Sequence, residues 1–336
     1  MKKVLVAALI FALVLTSGLS ACGKDSNGSA AVGEDGNIVL KAASVYSNPV
    51  FMNSIAIGIE KGFFEEEGIT IEPIANVEQP QMISALLSGN VDMISVMVSE
   101  GIVAIDGGAT IKGVAGEIET RDGIPHMIYL VANDSPITRG ADLVGKKVGV
   151  VDYGGCLVGY PLEYVRQDGV EDAKGKVEFV ISPEETLVES VRAGDIDVAG
   201  LHLPIDAAGN LYPDMRILFD DYDILGETGG DRSWYFTNEF IEKNPEAVKR
   251  FIKAIAKTNN FIDTNWDEAR KIYEDVADAF NGDIFAKTYY APDALITEDH
   301  TTIWLELLSS GNSYQPLKNE WTFDQVATNE FNEKAK

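Results

Sequence analysis

Ala85-Leu86-Leu87-Ser88-Gly89-Asn90-Val91-Asp92 returns later in the chain as Ser190-Val191-Arg192-Ala193-Gly194-Asp195-Ile196-Asp197. In each copy a helical face ends on glycine, the chain turns, and a β-rich run is entered through an aspartate. Glycine suits that corner because it lacks the Cβ that penalises the left-handed backbone closing a helix. The units before them correspond as well: Glu67-Gly68-Ile69 precedes the first and Asp168-Gly169-Val170 the second. The same order in both halves predicts two related α/β lobes.

Around the first copy, Ile38–Ala43 reads as a strand and Ile69–Ile74 as another. Between them one helix carries Ile55, Ile59 and Phe63 at four-residue spacing and stops near Glu67. Met82, Ile83, Leu86 and Leu87 mark the next helical face. Around the second copy, residues 127–132 and 142–150 lead into strands, and the polar, glycine-rich 220–232 reads as a return. Asn244-Pro245-Glu246 then starts a helix, with Asn as its cap and Pro in first position. Val248, Phe251, Ile252 and Ile255 share its apolar face, and further helices are expected at 266–280 and 303–308. The expected division is discontinuous, with residues 38–125 and 225–336 in lobe one and 126–224 in lobe two.

The N-terminus reads as an export signal over residues 1–21, with Lys2 and Lys3 before an apolar run at 4–15. That run is shorter than the roughly 20 residues a permanent membrane span needs. It ends in Leu19-Ser20-Ala21-Cys22, which resembles the bacterial lipobox, so Cys22 is expected to carry lipid, including a palmitate-type chain. Residues 22–37 then read as a flexible tether. The expected location is extracytoplasmic, on a membrane lipid anchor. Cys156 has no partner left, so the fold cannot rely on an internal disulfide. The formal charge of −26 repels nucleic acid and anionic lipid heads. No nucleic-acid partner is expected, and the charge says nothing of the sign of a buried pocket.

Four stretches carry a family likeness: Gly58-Ile59-Glu60-Lys61-Gly62-Phe63-Phe64-Glu65-Glu66-Glu67-Gly68-Ile69, the Ser-Gly-Asn-Val-Asp turn, residues 142–150, and Asn238-Glu239-Phe240-Ile241-Glu242-Lys243-Asn244-Pro245-Glu246. In this order they resemble the nitrate, sulfonate, taurine and thiamine-pyrimidine group of ABC-importer binding proteins. The resemblance implies a type II periplasmic-binding-protein fold, two α/β lobes closing over a solute. It implies as partners a small-molecule ligand, a permease and an ATPase, for a monomer without cofactor or catalytic residues.

Ligand contacts are expected beyond strand ends, where open α/β sheets place their sites. In lobe one these are Ser44, Tyr46 and Asn48 after the first strand, and Ser99 and Glu100 after the Asp92 strand; Ser99 could instead cap the next helix. In lobe two Tyr153, Gly154, Gly155 and Cys156 lie between a strand and a helix, whose free amides could receive an anion or carbonyl. Cys156 could equally pack. His202 follows the Asp197 strand, and Tyr129 and Trp234 offer rings to a ligand or to the core. Arg121 and Arg232 suit an anionic ligand, Glu117 and Glu227 a cationic one, so the sequence leaves a sulfonate or taurine-like solute and a pyrimidine or amine-like one both open.

Two rivals remain. The fungal pyrimidine synthases share the fold that the resemblance implies, and their chemistry needs an iron site of clustered cysteine and histidine. Here His126, His202 and His300 are scattered and Cys156 stands alone. A ligand sensor reporting to a receptor is the other.

Overall fold

The computed structural model describes residues 30–43, 45, 52–75, 77–203, 205–277, 287–310 and 313–335. Cys22, Ser44, Tyr46 and Asn48 lie outside these residues, as does the end of the helix expected at 266–280. Strand β1 (Ala31–Val32) pairs antiparallel with β2 (Ile38–Ala43) through a turn closed by Gly33 N–H on Asn37 O. Residues 30–37 therefore belong to the folded body and not to the tether expected there. The reason is a long-range contact: Ala30 N–H donates to Asn244 Oδ1 at 2.8 Å.

Helices α1 (Ser54–Glu60) and α2 (Phe63–Glu66) replace the single helix expected, because Gly62 between them turns left-handed at φ 74°. β3 (Ile69–Ile74) then runs parallel to β2. α3 (Met82–Leu87), β4 (Ile94–Met97), α4 (Val98–Asp106) and β5 (Ile111–Glu119) follow in turn.

The chain next builds a separate five-stranded sheet. Its strands are β6 (Ile128–Ala132), β7 (Lys147–Val150), β8 (Glu178–Ile181), β9 (Val198–Leu201) and β10 (Met215–Asp220), in the order β10-β6-β9-β7-β8. α5 (Gly155–Gln167) follows β7, α6 (Glu184–Ala193) follows β8, and α7 (Ile205–Leu211) follows β9. After α8 (Asp221–Leu225), β11 (Arg232–Thr237) returns to the first half and inserts between β5 and β4. α9 (Asn238–Lys243), α10 (Pro245–Thr264), α11 (Trp266–Val276), β12 (Tyr289–Tyr290), α12 (Glu298–Ser309) and α13 (Phe323–Val326) complete the described chain. β12 is the outer neighbour of β5, and an Ala42–Met93 bridge links β2 to the start of β4.

The two repeated turns are one hydrogen-bonded object built twice. Gly89 and Gly194 both take left-handed backbones, at φ 72° and 78°. Asn90 N–H donates to Ala85 O at 3.0 Å, and Asp195 N–H to Ser190 O at 3.0 Å. Asp92 then grips Lys41 twice: its N–H donates to Lys41 O at 2.9 Å, and its carboxylate accepts Lys41 N–H at 2.9 Å. Asp197 does the same to Lys147, at 2.9 and 2.9 Å. Each aspartate thus fixes the register of a strand against its neighbour.

α10 supplies the core of the first half. Val248, Phe251, Ile252 and Ile255 are all buried, and Phe251 meets Phe64, Trp234 and Phe236 ring to ring. Each fully buried side chain of this size contributes about 1.5–3 kcal/mol. Asn244 does not cap α10 with its side chain as expected; besides Ala30 it holds Phe240 O through Nδ2 at 3.1 Å.

Candidate functional site

Two helix N-termini meet where the halves face one another. β4 ends at Met97 and α4 begins at once, placing Ser99 and Glu100 in its first turn. Ser99 is fully buried and its Oγ has no hydrogen-bond partner. The capping role open to Ser99 falls to Glu100, whose Oε2 accepts from Met97 N–H and from Gln79 Nε2, both at 3.2 Å. Burial raises the Glu100 carboxyl above its ordinary range, opposed chiefly by Arg232.

From the other half, β7 leads through Asp152, Tyr153 and Gly154 into α5. The Asp152 carboxylate accepts the Gly154 N–H. Gly155 faces Ser99 directly: a Cβ on it would stand 3.2 Å from Ser99 Oγ and 3.4 Å from Ser99 Cβ. A larger residue would push the halves apart, so glycine here is a matter of close approach. Around this seam lies a cleft of about 390 Å³ bordered by Ser99, Glu100, Asp152, Tyr153, Gly154 and Gly155. Apolar Ile83, Val96 and Val103 and polar Gln79 and Gln315 also line it.

Of the sequence-expected residues, Ser99, Glu100, Tyr153, Gly154 and Gly155 come together around that cleft. Tyr129 does not: it is fully buried, stacked on Phe219 at 4.3 Å, with its hydroxyl donating to Leu157 O. Trp234 packs edge-on against Phe251 in the core. Cys156, one residue past the seam, points into the core, where burial pushes its thiol far above the ordinary range. Tyr129 and Trp234 lie inside β6 and β11 and Cys156 inside α5, each on the face turned to the core, so all three take the packing role and not the ligand contact expected of them. His202 sits beside the crossover, its Nδ1 2.8 Å from Glu184 Oε2 and its ring edge-on to His126 at 5.0 Å. His126 is buried and held well below the ordinary imidazole range, first by burial and then by His202. Arg121 pairs with Glu119 and Glu227, while Glu117 accepts hydroxyls from Ser54 and Ser95. Arg232 donates to Ser95 O at 2.7 Å.

Sequence reasoning missed Gln79, Gln315 and Tyr314. Tyr314 lies flat on Tyr153 with centroids 5.2 Å apart. The segment carrying it is anchored on both sides of the cleft. Lys174 Nζ holds Ser313 O at 3.1 Å, and Asp106 at the end of α4 accepts from Lys318, Asn319 and Trp321. No local pattern announces such a strap.

Residues 48–269 match the model of the family described as NMT1/THI5 like. The chain belongs to the NMT1/THI5-like family. Among solved structures, the NMT1/THI5-like chain is similar to the periplasmic aliphatic sulphonate binding protein SsuA of Escherichia coli. There the TM-score is 0.65 at 18% identity, over 85% of this chain and 96% of that one. It is also similar to the periplasmic nitrate-binding protein NrtA of Synechocystis PCC 6803. That match has a TM-score of 0.64 at 14% identity, over 91% and 89% of the two chains. The fold is thus the two-lobed α/β type II periplasmic-binding-protein fold. In sequence, the 4-amino-5-hydroxymethyl-2-methylpyrimidine phosphate synthase THI11 of Saccharomyces cerevisiae is 25% identical over 253 residues, 73% of this chain and 71% of that protein.

Proposed function

We propose that this NMT1/THI5-like protein is the solute-binding component of an ABC-type importer. It captures a small organic solute, sulfonate or taurine-like or else pyrimidine or amine-like, and presents it to a permease. The observation that carries this reading is the Ser99–Gly155 seam, where two lobes bring helix N-termini together around a cavity of small-molecule size. Lobe one comprises residues 38–125 and 225–336 with β1 added at its sheet edge, lobe two 126–224, and the crossovers near 120–127 and 220–232 act as the hinge. A solute touching both α4 and α5 gains its full contacts only in the closed form, so its binding drives closure. Lipid on Cys22 keeps the protein at the extracytoplasmic membrane face, and Cys22→Ala is expected to release a folded protein. Native protein with an intact Met1 would contradict that anchor.

The synthase relatives favour a second reading, a pyrimidine-forming enzyme. Against it, among the described residues no group of three or more His, Cys, Asp or Glu is arranged to hold a metal ion. The buried Cys156 is no nucleophile in this setting. One experiment separates the two. Protein purified without refolding, emptied and given back its co-purified solute should compact in small-angle X-ray scattering and return that solute unchanged. Repeated conversion of the solute would overturn the binding reading.

A further inference from the structure

Resting on the binding-protein reading, we infer that the solute held in the Ser99–Gly155 cleft is an organic cation. It is a protonated or quaternary amine on a compact apolar body, with its nitrogen beside Glu100 and Asp152. Two helix N-termini border the cleft. Such ends attract anions because their amides point outward with a partial positive charge. Here the amide of the residue capping each end is already held by a carboxylate of the chain itself. Glu100 takes Met97 N–H at the start of α4, and Asp152 takes Gly154 N–H at the start of α5. An arriving anion would meet the Glu100 and Asp152 carboxyl groups beside both ends.

The lining agrees. Its charged members among the described residues are Glu100 and Asp152, with no lysine, arginine or histidine. No cation of the described chain lies within ion-pair distance of either carboxylate. Arg232 acts on Glu100 from outside the cleft, its guanidinium engaged with Ser95 O. A carboxylate has about four acceptor positions, so both retain capacity for an ammonium group.

A second observation points to a ligand. Ser99 Oγ borders the cleft, fully buried and without a partner. A buried hydroxyl in that state calls for a polar group that arrives with the solute. Pro80, Ile83, Val96 and Val103 offer the apolar wall for its body. Tyr153, with 44% of its surface exposed, presents an aromatic ring to a positive charge. The negative charge of the whole chain, −26, draws cations toward the opening.

The test uses two probes of matched shape, benzyltrimethylammonium and benzenesulfonate, titrated calorimetrically at low salt into the emptied full chain. The cation is expected to bind more tightly than the anion. Glu100→Gln and Asp152→Asn should each weaken the cation, Glu100→Gln by about tenfold or more, as expected for a lost charge-assisted contact. Either variant may be judged alone should the other fail to fold. Benzenesulfonate binding as tightly as the cation, equal cation affinity in wild type and folded variants, or neither probe binding at millimolar concentration would each overturn the inference. An anionic co-purified solute would also overturn it, yet leave the binding-protein reading standing; conversion of the solute would remove that reading instead.

Discussion

The turns at 85–92 and 190–197 share every backbone hydrogen bond described above, yet the strands they launch end in different chemistry. β4 delivers Ser99 and Glu100 to the cleft, whereas β9 delivers His202 to a pairing with Glu184 at its side. The scaffold is duplicated and the site is not. What recurs is whatever a strand needs to start in register; what differs is whatever follows its end.

That comparison can be broken first at the aspartates. Asp92 is buried, so Asp92→Ala strands the Lys41 amide without an acceptor and should cost about 1–3 kcal/mol in urea unfolding. Asp197 has 34% of its side chain exposed, and water can replace it at Lys147. Asp197→Ala should therefore cost clearly less; equal losses would show that the two turns are not distinguished by burial. The glycines sharpen the likeness instead. Gly89→Ala and Gly194→Ala should each cost about 1–2 kcal/mol, with near-identical values, since both pay the same left-handed penalty. Values differing severalfold would mean that the turns are only superficially alike.

The joint between the halves should respond to pH. Asp221 accepts Met127 N–H at 2.9 Å and the Thr120 hydroxyl, and burial raises its carboxyl to about 7. The folded protein thus binds a proton that the unfolded chain releases near its ordinary value of 3.8. This contribution is fully present below that value and is lost as pH rises toward about 7. Asp221→Asn keeps an acceptor for Met127 and should flatten that slope in melting temperatures taken from pH 5 to 8. An unchanged slope would remove Asp221 as its source. Smallest of all, Lys146→Ala, which opens only a half-exposed bridge to Asp197, should change stability by less than about 1 kcal/mol.

The sequence made the repeated turn legible because glycine and aspartate act there on residues close by or on a single neighbouring strand. Ser99, Glu100 and the 153–155 corner were legible for a related reason, since each follows a strand directly. The rings of Tyr129 and Trp234 stayed open between ligand and core because both faces of their strands, β6 and β11, are buried and the sequence does not disclose which one meets the cleft. Asn244 carried a helix-cap pattern but serves Ala30, far away in sequence. Gln79, Tyr314 and Gln315 reach the cleft only through tertiary packing, and the Asp106 clamp that positions the strap spans most of the chain.

Two glycines one helical turn apart on α5 differ in how closely the other lobe approaches them. Gly155 has Ser99 at 3.2 Å from where a Cβ would stand, whereas a Cβ on Gly159 meets nothing within 4 Å. Native mass spectrometry of protein purified without refolding should show a one-to-one solute adduct in wild type and in Gly159→Ala. Gly155→Val should fold, by circular dichroism, and lose that adduct because its lobes cannot close on α4. A folded Gly155→Val that retains the adduct at wild-type occupancy would contradict the placement of the solute between these two helix ends.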